Sequence, residues 1–212
     1  FGLDFDQLET LMNTSPQLVG ELRLIHMCSQ SDGACAVIFA SEKKAKELSK
    51  KPVWIRDHIT IHREETFNIF GYHKDYPVLK THKFAAEQLF KRNDIKNPLE
   101  YFDVFEMYDP AAWWGLDWLR DFFFLKGDEH LRLVENKEIM IGGSMPINPS
   151  GGVIATNPIG ATALLRVAEA ALQVRGDAGA HQIPKEVKHA LASGFGGTMW
   201  TVLMMLEKEL SW

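Results

Sequence analysis

NPSGGVIATNPIGATALLRVAEAALQ, residues 148–173, is the stretch that decides the fold of this chain. It joins a polar turn with two glycines, Gly151 and Gly152, to a short apolar run that ends at Asn157. Proline is favoured at the first position of a helix, and an asparagine before it can cap the free amides. The pattern therefore predicts a helix that begins at Pro158 and is capped by Asn157.

This predicted helix is apolar over most of its circumference. Only Arg166, Glu169 and Gln173 form a narrow polar stripe along it. A helix with so little polar surface is typical of one buried between layers. We expect its N-terminus to direct amide donors and partial positive charge into the space that the glycines leave open, which suits an anion or a developing oxyanion.

The same stretch resembles the C-terminal active-site loop of thiolases, N-x-x-G-G-x-x-A-x-[HN]-P-x-G-A-[ST]. The matching positions are Asn148, Gly151, Gly152, Ala155, Pro158, Gly160, Ala161 and Thr162. Asn157 stands where most thiolases have a catalytic histidine. The resemblance implies an α/β fold, the αβαβα layered sandwich with a mixed sheet, of which this chain carries the C-terminal portion.

A second match is the sequence CSQSDGACAVIFAS, residues 28–41. Its Asp-Gly turn leads into an apolar run, residues 34–40, which predicts a strand buried on both faces. Thiolases have an S-x-x-D-G-A-A-A turn beside the pantetheine arm of coenzyme A, and this similarity implies that Cys28 and Ser29 bind CoA. From the residues alone, an Asx turn before a core strand explains the same pattern.

A third match is partial. Tyr108 and Asp109 follow a run with little polar content, residues 101–107, that predicts a strand. They occupy the first two positions of the thiolase N-E-A-F or H-D-x-F element, so the resemblance implies a catalytic role for both. Tyr108 would donate a phenol hydrogen bond to a carbonyl. A tyrosine that only anchors the next helix is the other explanation.

The sequence SGFGG, residues 193–197, lies where thiolases have a C-x-G-G-G turn before their last strand. The resemblance implies that Ser193, Gly194 and Gly196 line the CoA site. No side chain of this turn titrates near neutral pH, because a serine hydroxyl loses its proton only at far higher pH. A strand is predicted at residues 199–206.

Composition and charge exclude several classes of function. A net charge of -5 and the lack of a dense Lys/Arg block argue against nucleic acid or an anionic membrane as the main partner. No apolar run approaches the roughly 20 residues that span a bilayer and no signal peptide opens the chain, so we expect a cytoplasmic protein. Cys28 and Cys35 have neither a disulfide framework nor zinc-finger spacing, so we expect no bound metal.

The matches follow thiolase order over nearly the whole chain but cover only the second half of a thiolase. We expect residues 1–51 to be the end of the loop region with the last strand and helix of the N-terminal thiolase domain, and residues 52–212 to be the C-terminal domain. Nothing in this sequence replaces the nucleophilic cysteine of the earlier half. Outside the matches, the patterns predict helices at residues 5–13, 41–51 and 81–90, strands at 21–28 and 53–62, and a loop at 71–75.

The resemblance implies an acyltransferase that makes or cleaves a C–C bond beside a CoA thioester. Coenzyme A would then be a substrate, no cofactor would be covalently bound, and two copies would form a thiolase-type dimer. Asn157 would bind the thioester oxygen, because an amide donates hydrogen bonds but cannot shuttle protons. A simple helix cap is the other explanation of Asn157.

The sequence departs from the common thiolase motifs in three places: Asn-Pro in place of His-Pro, the Tyr-Asp element and the turn without cysteine. In these three places it resembles one group of thiolases. That group works with a small zinc-ribbon/OB-fold partner subunit, and its substrates include bulky or aryl 3-oxoacyl-CoA such as benzoylsuccinyl-CoA in aromatic degradation. The aromatic run AAWWGLDWLRDFFFLKG, residues 111–127, either packs in the core and against a subunit or lines an aryl pocket.

Two other functions fit the same residues. One is a retro-aldolase acting on a β-hydroxyacyl-CoA of the steroid side-chain type, which needs a general base such as Tyr108 rather than a cysteine. The other is a non-catalytic subunit that binds CoA.

Overall fold

The structure, a computed structural model, describes residues 4–62, 80–196 and 200–210. The strands are β1 (Gln17–Val19), β2 (Leu22–Arg23), β3 (Trp54–His62), β4 (Val104–Glu106), β5 (His189–Gly196) and β6 (Trp200–Glu207). The α-helices are α1 (Phe5–Thr14), α2 (Glu42–Leu48), α3 (Lys80–Arg92), α4 (Pro98–Tyr101), α5 (Ala112–Phe122), α6 (Glu129–Glu135), α7 (Gly152–Ala155) and α8 (Thr162–Arg175).

A mixed four-stranded sheet in the order β3-β6-β5-β4 organises the core. The pairs β3–β6 and β6–β5 are antiparallel, whereas β5 and β4 are parallel. Side chains of β5 alternate between the two faces, as the twofold period of a strand requires. Leu191 packs into an aromatic-rich cluster with α3 and α5, while Ala190 and Ala192 pack with α8. The sheet is therefore covered by helices on both faces, which is the predicted α/β arrangement.

Helix α5 carries most of the aromatic run. Trp118, Phe122 and Phe123 are buried in the core cluster, and the ring centroids of Phe105 and Phe122 lie 5.2 Å apart. Trp113 is 37% exposed on the opposite side of the helix. Core packing, one of the two explanations given above, accounts for the buried members of this run.

Several local predictions are confirmed. The helix predicted at 5–13 is α1, where Asp4 accepts a hydrogen bond from the Gln7 amide as its cap, and the helix predicted at 41–51 is α2, which is shorter, ends at Leu48 and has Ser41 as its cap. The predicted helix at 81–90 is α3, the strand at 53–62 is β3, and the strand at 199–206 is β6. The predicted loop at 71–75 and residue 197 of the SGFGG turn lie outside the described residues.

The strand predicted at residues 34–40 is wrong. No strand of the described residues pairs with this segment, and Ile38 and Phe39 are 89% and 64% exposed. A strand buried on both faces needs neighbours on both edges and layers above and below it. The four-stranded sheet provides none of these to residues 34–40. Residues 21–28 likewise form only the end of a short β1–β2 hairpin and a 3₁₀ turn, Leu24–His26.

The helix start predicted at Pro158 is also wrong. Residues 159–161 form a separate 3₁₀ turn, and α8 begins at Thr162. Ile159 has a φ of 28°, which an α-helix running on from Pro158 would not allow. Asn157 therefore caps no backbone amide of α8, and its side-chain oxygen accepts a hydrogen bond from the Thr162 hydroxyl instead.

Two further strand predictions need correction. Within residues 101–107 only Val104–Glu106 forms a strand, because Pro98 begins α4 and the helix runs to Tyr101. Ser193 and Gly194 lie within β5 rather than in a turn, since β5 continues to Gly196.

Helix α8 turns its polar stripe inward. Arg166 and Gln173 are buried, whereas Leu164 and Val167 on the apolar side are only half-buried. The prediction that its apolar surface is enclosed between layers does not hold within the described residues. Buried polar partners for Arg166 and Gln173, rather than apolar contact alone, decide which side of α8 faces the sheet.

Candidate active site

The side chain of Asn157 is the centre of the candidate site. It is 7% exposed, its Oδ1 accepts a hydrogen bond from Thr162 Oγ1 at 2.7 Å, and its Nδ2 donates to Cys28 Sγ at 3.1 Å. Its backbone N–H donates to Ser31 Oγ at 2.8 Å. The amide is thus held on both sides, with its donor group turned toward Cys28.

Residues 27–31 reach this position through backbone contacts. Met27 forms a bridge with Ala111, and the Cys28 N–H donates to the Pro110 carbonyl at 2.9 Å. Gln30 forms a parallel bridge with Asn157. The segment therefore lies between the loop after β4 and the residues that precede α8, which places Cys28 in the site.

Tyr108 lies close enough to Cys28 for the two side chains to interact electrostatically. Its backbone N–H donates to Ser193 Oγ at 2.8 Å, and its ring centroid is 6.3 Å from that of Phe195. Burial raises the pKa of the Tyr108 phenol, and negative charge on Cys28 acts in the same direction. The phenol is therefore protonated at neutral pH and suited to donating a hydrogen bond, not to acting as a base.

Asp109 supports the glycine turn. Its Oδ1 accepts a hydrogen bond from the Val153 N–H at 2.7 Å. Burial raises the pKa of Asp109 to about 6, although the Val153 amide, the Asn148 side chain and Arg166 act to lower it. The carboxyl group is engaged by the backbone of α7, so the structure places it beneath the glycine turn.

Gly152 makes this arrangement possible. It has a φ of 65°, and a Cβ atom there would lie 2.5 Å from Asn148 Nδ2 and 2.6 Å from Asp109 Oδ1. Only glycine fits both the conformation and the space. Gly151 has a φ of 94° and precedes α7 directly.

The other predicted CoA-binding residues occupy different places. Ser29 is exposed next to Cys28. A Cβ atom at Gly194 would lie 2.9 Å from Ala163 Cβ, so this glycine allows α8 to approach β5. Gly196 lies against the Trp200 ring. The structure brings Cys28, Tyr108, Asn157 and Ser193 together, and it gives Gly194 and Gly196 packing contacts.

A buried ion pair below the site was missed by the sequence reasoning. Arg166 Nη1 donates to Glu106 Oε2 and to Ser150 Oγ, both at 2.8 Å, and Ser150 Oγ donates to Glu106 Oε2 at 2.7 Å. Burial raises the pKa of Glu106 to about 7, against the lowering effects of Arg166 and Ser150. The network ties β4, α8 and the residue before the glycine turn together. An arginine in an otherwise apolar helix was its only signal in the sequence.

Among the cavities in the described part of the chain, two lie against its helices. One of about 190 Å³ lies between α8 and the sheet, beside Ser193, Gly194 and Met204. The other, of about 520 Å³, lies between α3 and α5 with Lys83 and Arg120 at its edge. Neither of these two is lined by Asn157.

Residues 72–208 match the model of the family described as thiolase C-terminal domain-like. The chain belongs to this thiolase family. The matched residues include Tyr108, Asp109, the glycine turn and Asn157. The recognition of a thiolase C-terminal half and its α/β fold are thereby confirmed.

Relatives agree with the family assignment. The chain is 32% identical to an acetyl-CoA acetyltransferase of Methanocaldococcus jannaschii over 207 residues, which are 95% of this chain and 52% of the relative. It is 29% identical to sterol carrier protein 2 of Bos taurus over 198 residues, 90% of this chain and 35% of the relative. The chain thus spans about half the length, or less, of these thiolase-family relatives.

A solved structure shares the fold. The Ltp2-ChsH2(DUF35) aldolase superposes with a TM-score of 0.76 at 21% identity, covering 95% of this chain and 51% of that one. Among the described helices, none combines the length and the apolar character needed to span a bilayer.

Proposed function

We propose that this chain is the C-terminal half of a cytoplasmic thiolase-type acyltransferase, which makes or cleaves a C–C bond beside a CoA thioester. The observation that carries the proposal is the buried side-chain amide of Asn157, held at the meeting point of three segments with its Nδ2 donating one hydrogen bond to Cys28. A fixed N–H donor of this kind stabilises a developing oxyanion. The names of the acetyl-CoA acetyltransferase relatives support acyl-CoA chemistry.

The proposed domain division follows from the same placement. Residues 1–51 belong to the N-terminal thiolase domain, and residues 52–212 form the C-terminal domain. The support is that β1, β2 and the exposed segment at residues 34–40 lie outside the four-stranded sheet. The nucleophilic cysteine belongs to the part of a thiolase that this chain does not span.

In the proposed cleavage, the nucleophilic thiolate attacks the 3-oxo carbon, whose oxygen gains negative charge; the adjacent C–C bond then breaks and the leaving acyl-CoA carbanion takes up a proton. The acyl group on the thiolate next passes to free CoA, whose thiolate attacks the new thioester carbon and expels the enzyme thiolate. Asn157 Nδ2 carries two hydrogens, of which one points to Cys28 and the other serves the oxyanion. Tyr108 donates its phenol hydrogen bond to the second carbonyl, and Asp109 holds the glycine turn through Val153. The residues proposed to contact CoA or the acyl group are Cys28, Ser29, Gly151, Gly152, Ser193, Gly194 and Gly196.

The test is the Asn157→Ala substitution in a protein that also carries the N-terminal thiolase half. Its thiolysis of a 3-oxoacyl-CoA is compared with that of the wild type. Loss of an oxyanion donor should lower kcat by about 10²-fold or more. Asn136→Ala, at the exposed end of α6, is the matched control and should keep wild-type turnover. A variant that loses thermal stability but turns over normally would show that Asn157 has only a packing role.

Retro-aldol cleavage of a β-hydroxyacyl-CoA is the second candidate. The observation in its favour is that the Asn157 amide cannot transfer a proton, whereas this reaction needs only oxyanion stabilisation and a base elsewhere. The raised pKa of Tyr108 makes its phenol a poor base at neutral pH. Release of a carbonyl product without consumption of free CoA would identify the aldolase, and tight CoA binding with no turnover would identify a non-catalytic subunit.

We also propose a zinc-ribbon/OB-fold partner subunit, a thiolase-type dimer and a bulky or aryl 3-oxoacyl-CoA, such as one of aromatic degradation, as substrate. The two-component name of the solved neighbour, with its DUF35 partner, supports the first of these. The rings of Trp114 and Tyr108 both lie within 6.3 Å of Phe195, between centroids, which supports an aryl group beside the site. Co-purification with the partner tests the complex.

A further inference from the structure

We infer that Thr162 is a positioning residue, which fixes the side-chain amide of Asn157 so that its N–H groups face Cys28 and the acyl oxygen. The effect on turnover rests on the proposed function. The effect on Cys28 does not, because it follows from the hydrogen bonds alone.

Thr162 has the geometry that this role requires. It is the first residue of α8, it is 0% exposed, and its hydroxyl donates to Asn157 Oδ1 at 2.7 Å. Threonine within a helix adopts mainly two χ1 rotamers, so the helix backbone limits the hydroxyl to two positions, and the hydrogen bond to Asn157 selects one of them. The rigid start of α8 therefore determines the plane of the Asn157 amide.

Other contacts hold the backbone of Asn157 independently. Its N–H donates to Ser31 Oγ, and its carbonyl accepts from the Ser31 N–H at 3.4 Å. Removing the Thr162 hydroxyl leaves these contacts in place. What changes is the rotation of the side chain, because Oδ1 loses its buried partner and Nδ2 is no longer held toward Cys28 Sγ.

Cys28 provides a readout that does not depend on turnover. An N–H donor stabilises the thiolate, which is the form that reacts with iodoacetamide. The rate at which Cys28 is alkylated at a fixed pH, measured by mass spectrometry of its peptide, thus reports the Asn157–Cys28 hydrogen bond. Cys35 in the same molecule is the internal reference.

The experiment compares Thr162→Val, Thr162→Ser, Asn157→Ala and the double variant Thr162→Val/Asn157→Ala. Thr162→Val should slow alkylation of Cys28 relative to Cys35 by about threefold to tenfold, the range for one hydrogen bond. Thr162→Ser should retain the wild-type ratio. The double variant should match Asn157→Ala, because two changes acting on one interaction are not additive.

A wild-type Cys28 to Cys35 ratio in Thr162→Val, or an effect that adds fully to that of Asn157→Ala, overturns the inference. If Thr162→Val does not fold, Thr162→Ala removes the hydroxyl without adding a methyl group and gives the same comparison. In an active protein, Thr162→Val should also lower kcat by about tenfold and leave the KM for CoA unchanged, while Thr162→Ser restores kcat. Absence of turnover in a wild-type protein that also carries the N-terminal thiolase half refutes the proposed function and leaves the alkylation result to decide on Thr162.

Discussion

Asp109 shows how a single carboxyl group is shaped by its surroundings. It accepts a hydrogen bond from the start of α7, yet burial raises its pKa to about 6. In the unfolded chain its pKa is the ordinary 3.8. The folded state therefore binds this proton more tightly, so the stabilising contribution is complete below about pH 4 and is lost as the pH rises through 6.

Asp109→Asn should remove this pH dependence. Asparagine keeps an oxygen that accepts from the Val153 N–H but does not ionise. Relative to the wild type, the variant should gain about 3 kcal/mol in free energy of unfolding between pH 4 and pH 7, at about 1.36 kcal/mol per pKa unit. Urea denaturation at several pH values measures this difference in the free energy of unfolding. Asp117→Asn, on the exposed side of α5, controls for the loss of one charge, and parallel profiles for Asp109→Asn and wild type would contradict the expectation.

The buried face of helix α8 is decided by a charged residue. Arg166 is paired with Glu106 and Ser150 at full burial, and it fixes which side of the helix meets β4 and β5. Burying two charges costs desolvation energy, which the short hydrogen bonds offset only while both partners are present. Breaking the pair should therefore cost more than replacing it.

Arg166→Met should lower the free energy of unfolding by about 3 kcal/mol or more, because it leaves Glu106 buried without its partner. The double variant Arg166→Met/Glu106→Gln should recover much of this loss. Arg175→Met at the exposed end of the same helix is the matched control and should change stability by under about 1 kcal/mol. Thermal or urea denaturation of these three variants and the wild type tests the expectation, and a double variant that is no more stable than Arg166→Met would count against the pair.

At the scale of the whole molecule, residues far apart in the chain form one aromatic cluster next to the site. Trp114 and Trp118 of α5 stack with ring centroids 5.6 Å apart, and Phe195 of β5 lies 4.8 Å from Trp118. Tyr108 follows β4 and completes the cluster. Helix packing and the proposed recognition of an aryl group thus share the same side chains.

Trp114→Ala should raise the KM for an aryl 3-oxoacyl-CoA by about tenfold, because it removes the half-buried ring next to Phe195. The KM for acetoacetyl-CoA, which has no aryl group, should change by less than about twofold. Trp113→Ala is the matched control, since that ring is 37% exposed and lies against Trp114, with the centroids 6.2 Å apart, rather than against Phe195. Steady-state kinetics with both substrates tests whether only the KM for the aryl substrate rises. Equal changes in the two KM values would refute an aryl pocket.

Features that depend only on neighbouring residues could be predicted from the sequence. Asp4 and Ser41 cap their helices, β3 and α3 follow their apolar patterns, and the two glycines of the turn adopt positive φ. The family motif located the glycine turn and Asn157. These features are set by local sterics and hydrogen bonds, which a short window of residues already contains.

Contacts between residues that are distant in the sequence are known only from the tertiary structure. Cys28 and Asn157 are 129 residues apart, yet their hydrogen bond gives the candidate site its centre. Helix α8 begins at Thr162 and not at the predicted Pro158, and residues 34–40 pair with no strand of the described residues. Burial and pairing are properties of distant segments brought together, so no local pattern could predict whether the polar stripe of α8 faces solvent or a buried glutamate.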